Sequence, residues 1–396
     1  MHAHRLTAAA LTVALALALL PPAAAADPAA APTPAEVTRL GRQARGSDDD
    51  RALEALRALA ELGEPAAAEL KAAAAARLDR DARLLQRAAP ATAAKLAAMQ
   101  KQMDAQRAAA WSVINALTKD TVPQARQNYD RLLAMQAELD RAYARLAPLV
   151  EARARRKELA ELWRSAAPEE EHAARDEAEA ALLEQADAAL GLDGDDARAC
   201  VDWAGRNPGD GEGVTAELRR FFARRAIEQY NARRAGLMNR QEQVNATLVN
   251  QYRAALGTLP LEWDPRVILA ARRHSKEMVE LKFFDHESPT PANKTHTQRM
   301  KNAGHPHGTA ENIAAGSGSG EATFWQWFNS PGHHKNMVAR GHVSLGVGQW
   351  SSTWTQNFAS GPPRAPPPPP PHDAPPKHGA PPPPHDVGGP GPRAGR

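Results

Sequence analysis

The sequence predicts an α+β protein: an all-α region, then a smaller domain of mixed helices and strands, then a tail that cannot build a core. Three observations carry this. Apolar residues recur at helical steps of three and four through the first two thirds of the chain. Two short runs, Val343 to Trp350 and Trp354 to Phe358, read as an antiparallel strand pair around Ser351-Ser-Thr353. After Ser360 the composition turns abruptly to proline. A length of 396 residues fits several domains, because single cores stop growing near about 250 to 300 residues.

Taken in order, residues 1–26 read as a secretory signal peptide: basic His4-Arg5, apolar Leu6 to Leu20, then Pro21-Pro22 and Ala24-Ala25-Ala26 before Asp27. About 15 apolar residues fall short of the roughly 20 that span a bilayer. No later stretch is long and apolar enough to be a transmembrane segment. The expectation is therefore a secreted protein, whether extracellular, periplasmic or held at the cell surface.

Residues 27–236 form the expected helical region. Asp48-Asp-Asp50 can cap a helix from Arg51 to Leu62, Gly63 can end it, and Pro65 suits the first turn of a helix running through Leu70 to about Leu78. Leu96, Met99, Met103, Ala110, Val113 and Leu117 then mark one apolar stripe, broken by Gln106; Leu132, Met135, Leu139, Ala142, Leu146 and Leu149 mark a second. Between them Thr118-Lys-Asp-Thr-Val-Pro123 interrupts the pattern, so the two stripes predict a helical hairpin, packed as a short coiled coil or within a mixed bundle. An acidic helical stretch from Glu169 to Asp196 precedes an Arg-rich helix from Val214 to about Gly236. That run fits an anionic partner or, preferred here, a solvated face pairing with the acidic stretch. With 49 Lys plus Arg against 46 Asp plus Glu, a net charge of +3 does not indicate nucleic-acid binding. Cys200 is the only cysteine, so an internal disulfide is excluded and the thiol reads as a small packing residue.

Residues 240–360 are the mixed domain. Helices are expected at Glu242 to Ala255, Pro265 to Leu281, Thr297 to Asn302 and Glu321 to Phe328, with another led in by Ser330-Pro-Gly332, and Glu311 sits on a strand with Asn312-Ile313. Trp263, Trp325, Trp327, Trp350, Trp354 and Phe358 are read as core. Residues 361–396, with Pro366 to Pro371 and Pro381 to Pro384, should be a disordered polyproline stalk rising about 3.1 Å per residue, with His372, His378 and His385 along it.

Five blocks within the mixed domain stand in a telling order: Leu261-Glu-Trp-Asp264, His286 after Phe283-Phe284, Glu311-Asn312, Trp327-Phe-Asn-Ser-Pro-Gly-His-His-Lys-Asn336, and, after a Gly346-Val-Gly348 turn, Trp354-Thr-Gln-Asn-Phe358. Together they resemble the CAP superfamily (cysteine-rich secretory proteins, antigen 5 and pathogenesis-related 1 proteins), in particular its bacterial secreted branch. The resemblance implies an α-β-α sandwich and a cleft where His286, Glu311 and His333 converge, with Ser330 and His334 beside them. Eukaryotic members add disulfides and a second glutamate; here the place of that acid is taken by Ser330.

Two imidazoles and one carboxylate can give three ligands to Zn²⁺ or another divalent metal and leave one position for water. The same groups can instead satisfy one another by hydrogen bonds. No His-Glu-x-x-His helix and no Gly-x-Ser-x-Gly elbow is present. His333 opens a helix, where the dipole disfavours the imidazolium. Three functions follow: an exported protein that binds a lipid, peptide or cell-wall component without turnover; a metal-dependent hydrolase using His286, His333 and Glu311; or a structural surface protein with a vestigial site.

Overall fold

The protein is described from a computed structural model covering residues 32–88, 90–202 and 211–361. The expected signal peptide and proline stalk lie outside the described residues. The chain divides into two compact units: residues up to Pro90 with Pro148–Asp195, and Ala91–Ala147 with the residues from Asp196 onward. The 45-residue helix Val122–Ala166 gives its residues up to 147 to the second unit and those from 148 to the first.

The helices before the sheet are α1 (Pro34–Ala44), α2 (Asp49–Glu61), α3 (Ala67–Leu85), α4 (Pro90–Asn115), α5 (Val122–Ala166), α6 (His172–Leu190), α7 (Gly194–Val201) and α8 (Val214–Ala232). In the first unit the Asp48 carboxylate caps α2 by accepting from Arg51 N at 3.1 Å, and Gly63, at φ 67°, turns the chain toward α3. Leu56, Leu59, Leu70 and Leu78 form the core with Leu159 and Trp163 from the distal half of α5. Arg155 grips Asp81 and Arg156 grips Glu179, each with two hydrogen bonds.

In the second unit α4 and the first half of α5 are antiparallel. Tyr143 Oη donates to Gln100 Oε1 at 2.9 Å, and Arg107 Nη2 donates to Gln136 Oε1 at 2.8 Å. The hairpin break falls before Val122, and Pro123 stands in the first turn of α5, where a missing N–H costs nothing. Of the stripes read off apolar residues, Leu96, Met103, Ala110, Leu117, Leu132, Leu139 and Leu146 are buried as expected, and the positions between them differ. Gln100, Arg107 and Ile114 are buried in place of Met99, Gln106 and Val113, and Gln136, Tyr143 and Val150 in place of Met135, Ala142 and Leu149. A buried polar network selects these positions, and hydrophobicity alone cannot reveal it.

The Arg-rich helix is likewise corrected. Arg220 and Arg224 are buried and, with Arg107, converge on Glu217 of α8 itself; Arg224 also reaches Asp140 at 2.7 Å. Toward the acidic stretch Arg219 approaches Asp196 at 3.9 Å. Cys200 is free and buried, and burial pushes its thiol pKa up.

The remaining elements are α9 (Arg240–Ala255), β1 (Glu262–Trp263), α10 (Pro265–Glu280), α11 (His296–Asn302), β2 (Gly308–Ala315), α12 (Gly320–Phe328), α13 (Pro331–Val338), β3 (Ser344–Trp350) and β4 (Thr353–Ala359). Sheet order is β1-β3-β4-β2, with β1 parallel to β3 and the other pairs antiparallel. Helices α10 and α11 pack on the sheet, as do α9, α12 and α13. Strand alternation separates the two layers: Glu311, Asn357 and Gly346 form one cross-strand row, while Asn312, Gln356 and Val347 form the next. The first row meets α10, through Asn357 and Ala271; the second meets α9, where Gln356 donates to Asn245 at 2.9 Å. This is the expected α-β-α sandwich.

Gly346-Val-Gly348 is not a turn. It lies inside β3, and a Cβ at either glycine would overlap the backbone of α10, at Val267 and Ile268 or at Ala271 and Arg272. Gly346→Ala is therefore expected to lower stability by at least about 1–3 kcal/mol, the usual overpacking cost, because the obstruction is backbone and cannot rotate away. Urea unfolding checks this. Trp327, Trp354 and Phe358 are fully buried as read, but Trp350 is 42% exposed, with Lys276 Nζ 5.0 Å from its ring centre.

Candidate functional site

Glu311 is the buried centre of the site, its side chain 1% exposed. Its place on β2 turns the carboxylate toward α10 and α11. Arg299 Nη2 donates to Oε1 at 2.8 Å and to Oε2 at 2.7 Å, and His286 Nδ1 bonds Oε1 at 3.0 Å. Asn357, in the amide orientation that satisfies both neighbours, donates to Oε2 at 3.0 Å and accepts from Ala271 N at 3.3 Å. His274 Nε2 stands 3.8 Å from Oε1 and bonds Asp285 O at 3.1 Å. Burial pushes the Glu311 carboxyl pKa up, but His286 and Arg299 together hold it below the ordinary glutamate range.

Arg299 also fixes the loop that carries His286. It donates to the carbonyls of His286 at 3.0 Å, Asn293 at 2.9 Å and Lys294 at 3.1 Å. The His286 ring is then oriented from behind by a carboxylate, with its side chain still 49% exposed. Its hydrogen bond to Glu311 raises its pKa above 6.5, against the opposing effect of burial. In that window the imidazolium stabilises the fold below pH 6.5, and the gain disappears as pH rises through the raised folded value.

His333 reaches this site from the other layer. It sits in the first turn of α13, after Pro331, and its carbonyl accepts from Asn312 Nδ2 at 3.1 Å. Asn336 Nδ2 bonds Asn312 Oδ1 at 2.9 Å, so α13 is tied to β2 through the residue whose side chain points away from Glu311. The His333 ring makes no hydrogen bond among the described residues, but it feels the charge of His286, which together with burial lowers its pKa. The structure thus brings His286 and Glu311 into contact and leaves His333 in electrostatic reach of His286. Ser330 is at the N-cap of α13 without a capping bond from its side chain.

His334 is placed elsewhere. It is fully buried, with Nε2 3.0 Å from Tyr252 Oη and Nδ1 2.8 Å from Phe328 O, inside an aromatic group with Tyr252 and Phe328. It therefore does not line an open cleft. Burial lowers its pKa to about 4. A histidine depressed this far must stay neutral, so stability is full above pH 6.5 and falls between there and about 4, at up to about 1.4 kcal/mol per pH unit for that group. His334→Gln is expected to flatten this slope in urea unfolding measured across that range. An unchanged slope would assign the acid sensitivity to other groups such as His342, also lowered to about 4.

A metal fits these residues poorly. Both Glu311 oxygens carry a guanidinium, which a cation would have to displace, and no group of three or more His, Cys, Asp or Glu placed to hold a metal ion occurs among the described residues. Sequence reasoning missed Arg299, His274 and Asn357. An arginine on a short helix beside Met300 carries no signal of its own, and its role appears only once α11 is laid against β2.

Residues 246–358 match the family model described as CAP: Cysteine-rich secretory protein family. The mixed domain is a CAP domain. Among curated proteins, the chain is 38% identical over 114 residues to the uncharacterized protein YkwD of Bacillus subtilis, covering 28% of this chain and 44% of that protein. It is 34% identical over 113 residues to the uncharacterized membrane protein YlbC of the same organism, covering 28% and 32% respectively. The chain thus spans less than half the length of either relative. Among solved structures, it is similar to an extracellular protein containing a SCP domain from Bacillus anthracis, at 28% identity over 38% of this chain and 45% of that one, with a TM-score of 0.29. An outer surface protein from Borrelia burgdorferi is 16% identical, covering 30% of this chain and 90% of that one, with a TM-score of 0.27. No helix among the described residues is long and apolar enough to cross a membrane.

Proposed function

We propose that this is an exported CAP-domain protein that binds a ligand or partner outside the cytoplasm through the cleft of His286, Glu311, His333 and Ser330, without turning it over. The observation that carries the reading is the saturation of Glu311. Its oxygens accept from Arg299, His286 and Asn357, which leaves the carboxylate a poor general base. What faces outward is the half-exposed His286 ring, whose pKa its hydrogen bond to Glu311 raises, with His333 nearby, whose pKa burial and the charge of His286 lower. Such a pair suits hydrogen bonding to an acceptor group on a ligand. The Leu6 to Leu20 leader supports export.

Purified protein is expected to bind one of three probes, peptidoglycan sacculi, denatured casein or phospholipid vesicles, and to release no soluble product from any of them, with or without added Zn²⁺. His286→Ala plus His333→Ala should remove the binding while circular dichroism is unchanged. Product release that disappears in a folded His333→Ala variant would overturn the reading in favour of a hydrolase. Elemental analysis that finds stoichiometric metal in wild type and none in the double variant would do the same for the metal-free cleft.

A further inference from the structure

The backbone of His286 is held on both sides of its Cα. Arg299 Nη2 donates to the His286 carbonyl at 3.0 Å, which pins the peptide plane that follows the residue. The plane that precedes it contains the Asp285 carbonyl, and that oxygen accepts from His274 Nε2 at 3.1 Å. Peptide units are planar, so φ and ψ are the only soft backbone dihedrals of a residue. Holding both flanking planes therefore sets the direction in which the His286 side chain leaves the chain, before its ring meets Glu311 at 3.0 Å.

His274 is itself placed rigidly enough to act as an anchor. It lies on α10, fully buried, with its ring 5.9 Å from that of Phe283. The next residue ties α10 to the sheet, where Ser275 Oγ donates to Gly348 O at 2.9 Å. After α10 ends at Glu280 the chain passes Lys282, at φ 56°, a left-handed conformation uncommon for a residue with a side chain, and returns Asp285 to His274. Glu277, three residues on, holds the far part of the same loop through the side chains of Ser288, Thr290 and Asn293.

The partner fixes the tautomer. A carbonyl oxygen only accepts, so Nε2 carries the proton and Nδ1 of the neutral ring keeps its lone pair. Nδ1 is buried without a hydrogen bond among the described residues, 3.9 Å from Glu277 Oε2. Nε2 stands 3.8 Å from Glu311 Oε1, beyond hydrogen-bond range, so the ring grips the loop and not the carboxylate. Burial lowers the His274 pKa despite the attraction of Glu311 and Glu277, so near pH 7 it acts through its hydrogen bond and not through charge.

We propose that His274 is a second positioning residue of the cleft beside Arg299, aiming the His286 ring at a ligand by holding the Asp285 carbonyl. The inference rests on the reading of His286 as the outward-facing ring of that cleft. Buried as it is, His274 does not touch the ligand; it removes part of the ordering that binding would otherwise require.

The test uses the full chain and no ligand. The His286 ring is titrated by ¹H–¹³C correlation spectroscopy, its resonance assigned by its loss in His286→Ala, and the wild-type midpoint should lie above 6.5. His274→Leu keeps apolar bulk but has no donor; the loosened ring should meet Glu311 less often, and the midpoint should move toward 6.5. His274→Gln, whose amide N–H takes the place of Nε2–H, should restore the raised midpoint. A wild-type midpoint in His274→Leu, or a folded His274→Gln that titrates as His274→Leu does, would overturn the proposal. Wild type gives a measurement that no folding defect can reach: ¹H–¹⁵N spectra should show the His274 proton on Nε2, exchanging slowly with solvent. A proton on Nδ1 alone would leave the Asp285 carbonyl without its donor and would equally overturn it. Failure of wild type to bind sacculi, casein or vesicles would count against the binding reading and leave these titrations standing.

Discussion

Glu217→Gln is expected to destabilise the second unit by about 3–5 kcal/mol, the usual cost of removing one partner from a buried ion network. Glu217 is fully buried, and Arg107, Arg220 and Arg224 reach its two oxygens at 2.7, 2.9 and 2.7 Å. After the substitution Arg224 keeps Asp140 at 2.7 Å and Arg107 keeps Asp104 at 3.6 Å, but Arg220 is left with the Gly211 carbonyl. The pH dependence follows with a definite sign. Burial pushes the Glu217 pKa up, yet Arg224 and Arg107 hold it far below its ordinary 4.5. Its contribution is present above pH 4.5 and is lost as the solution is acidified toward the folded value. Urea midpoints measured from pH 7 to pH 3 should therefore fall in wild type and much less in Glu217→Gln. A loss below about 1 kcal/mol at neutral pH, the scale of a surface pair, would mean that the three guanidiniums find other partners.

Arg299→Met should cost a similar amount, about 3–5 kcal/mol, because it leaves the Glu311 carboxylate buried with His286 and Asn357 as its remaining partners. It also releases three carbonyls of the loop from His286 to Lys294. Adding Glu311→Gln should recover part of the loss, since the unpaired charge is then gone. The His286 titration gives a readout that a general loss of packing would not. Arg299 lowers the His286 pKa and Glu311 raises it, so the midpoint followed by NMR should move up in Arg299→Met and back toward 6.5 in the double variant. A midpoint unmoved in both would refute the assignment of Arg299 as the residue that positions this site.

Much of the CAP domain could be read before the fold was known. The helices expected from Pro265 and from Glu321, and the strand pair around Ser351-Ser-Thr353, were read from local pattern, and local structure followed them. His286 and Glu311 were found because they sit in motif blocks of recognisable order. His334 was misplaced because adjacency in sequence says little on a helix, where consecutive residues point about 100° apart. The stripes of α4 and α5 were read only in part, because Gln100, Arg107 and Gln136 are polar by composition and interior by partnership. Gly346 and Gly348 were taken for a turn because glycine permits one, whereas here it permits a helix to lie on a strand.

The sequence by itself determined where the helices of the CAP domain and its last two strands lie, that no disulfide supports it, and which motif blocks carry His286 and Glu311, because periodicity and motif order act over a few residues. The tertiary structure alone decided that Glu311 faces Arg299 while α13 binds the next residue of β2, Asn312, and so how His333 stands to the carboxylate. It also decided that Glu217 gathers three arginines. Arg220 and Arg224 lie three and seven residues from Glu217 on α8, but Arg299 reaches Glu311 across 12 residues and Arg107 reaches Glu217 across 110, pairings set by strand pleat and helix packing.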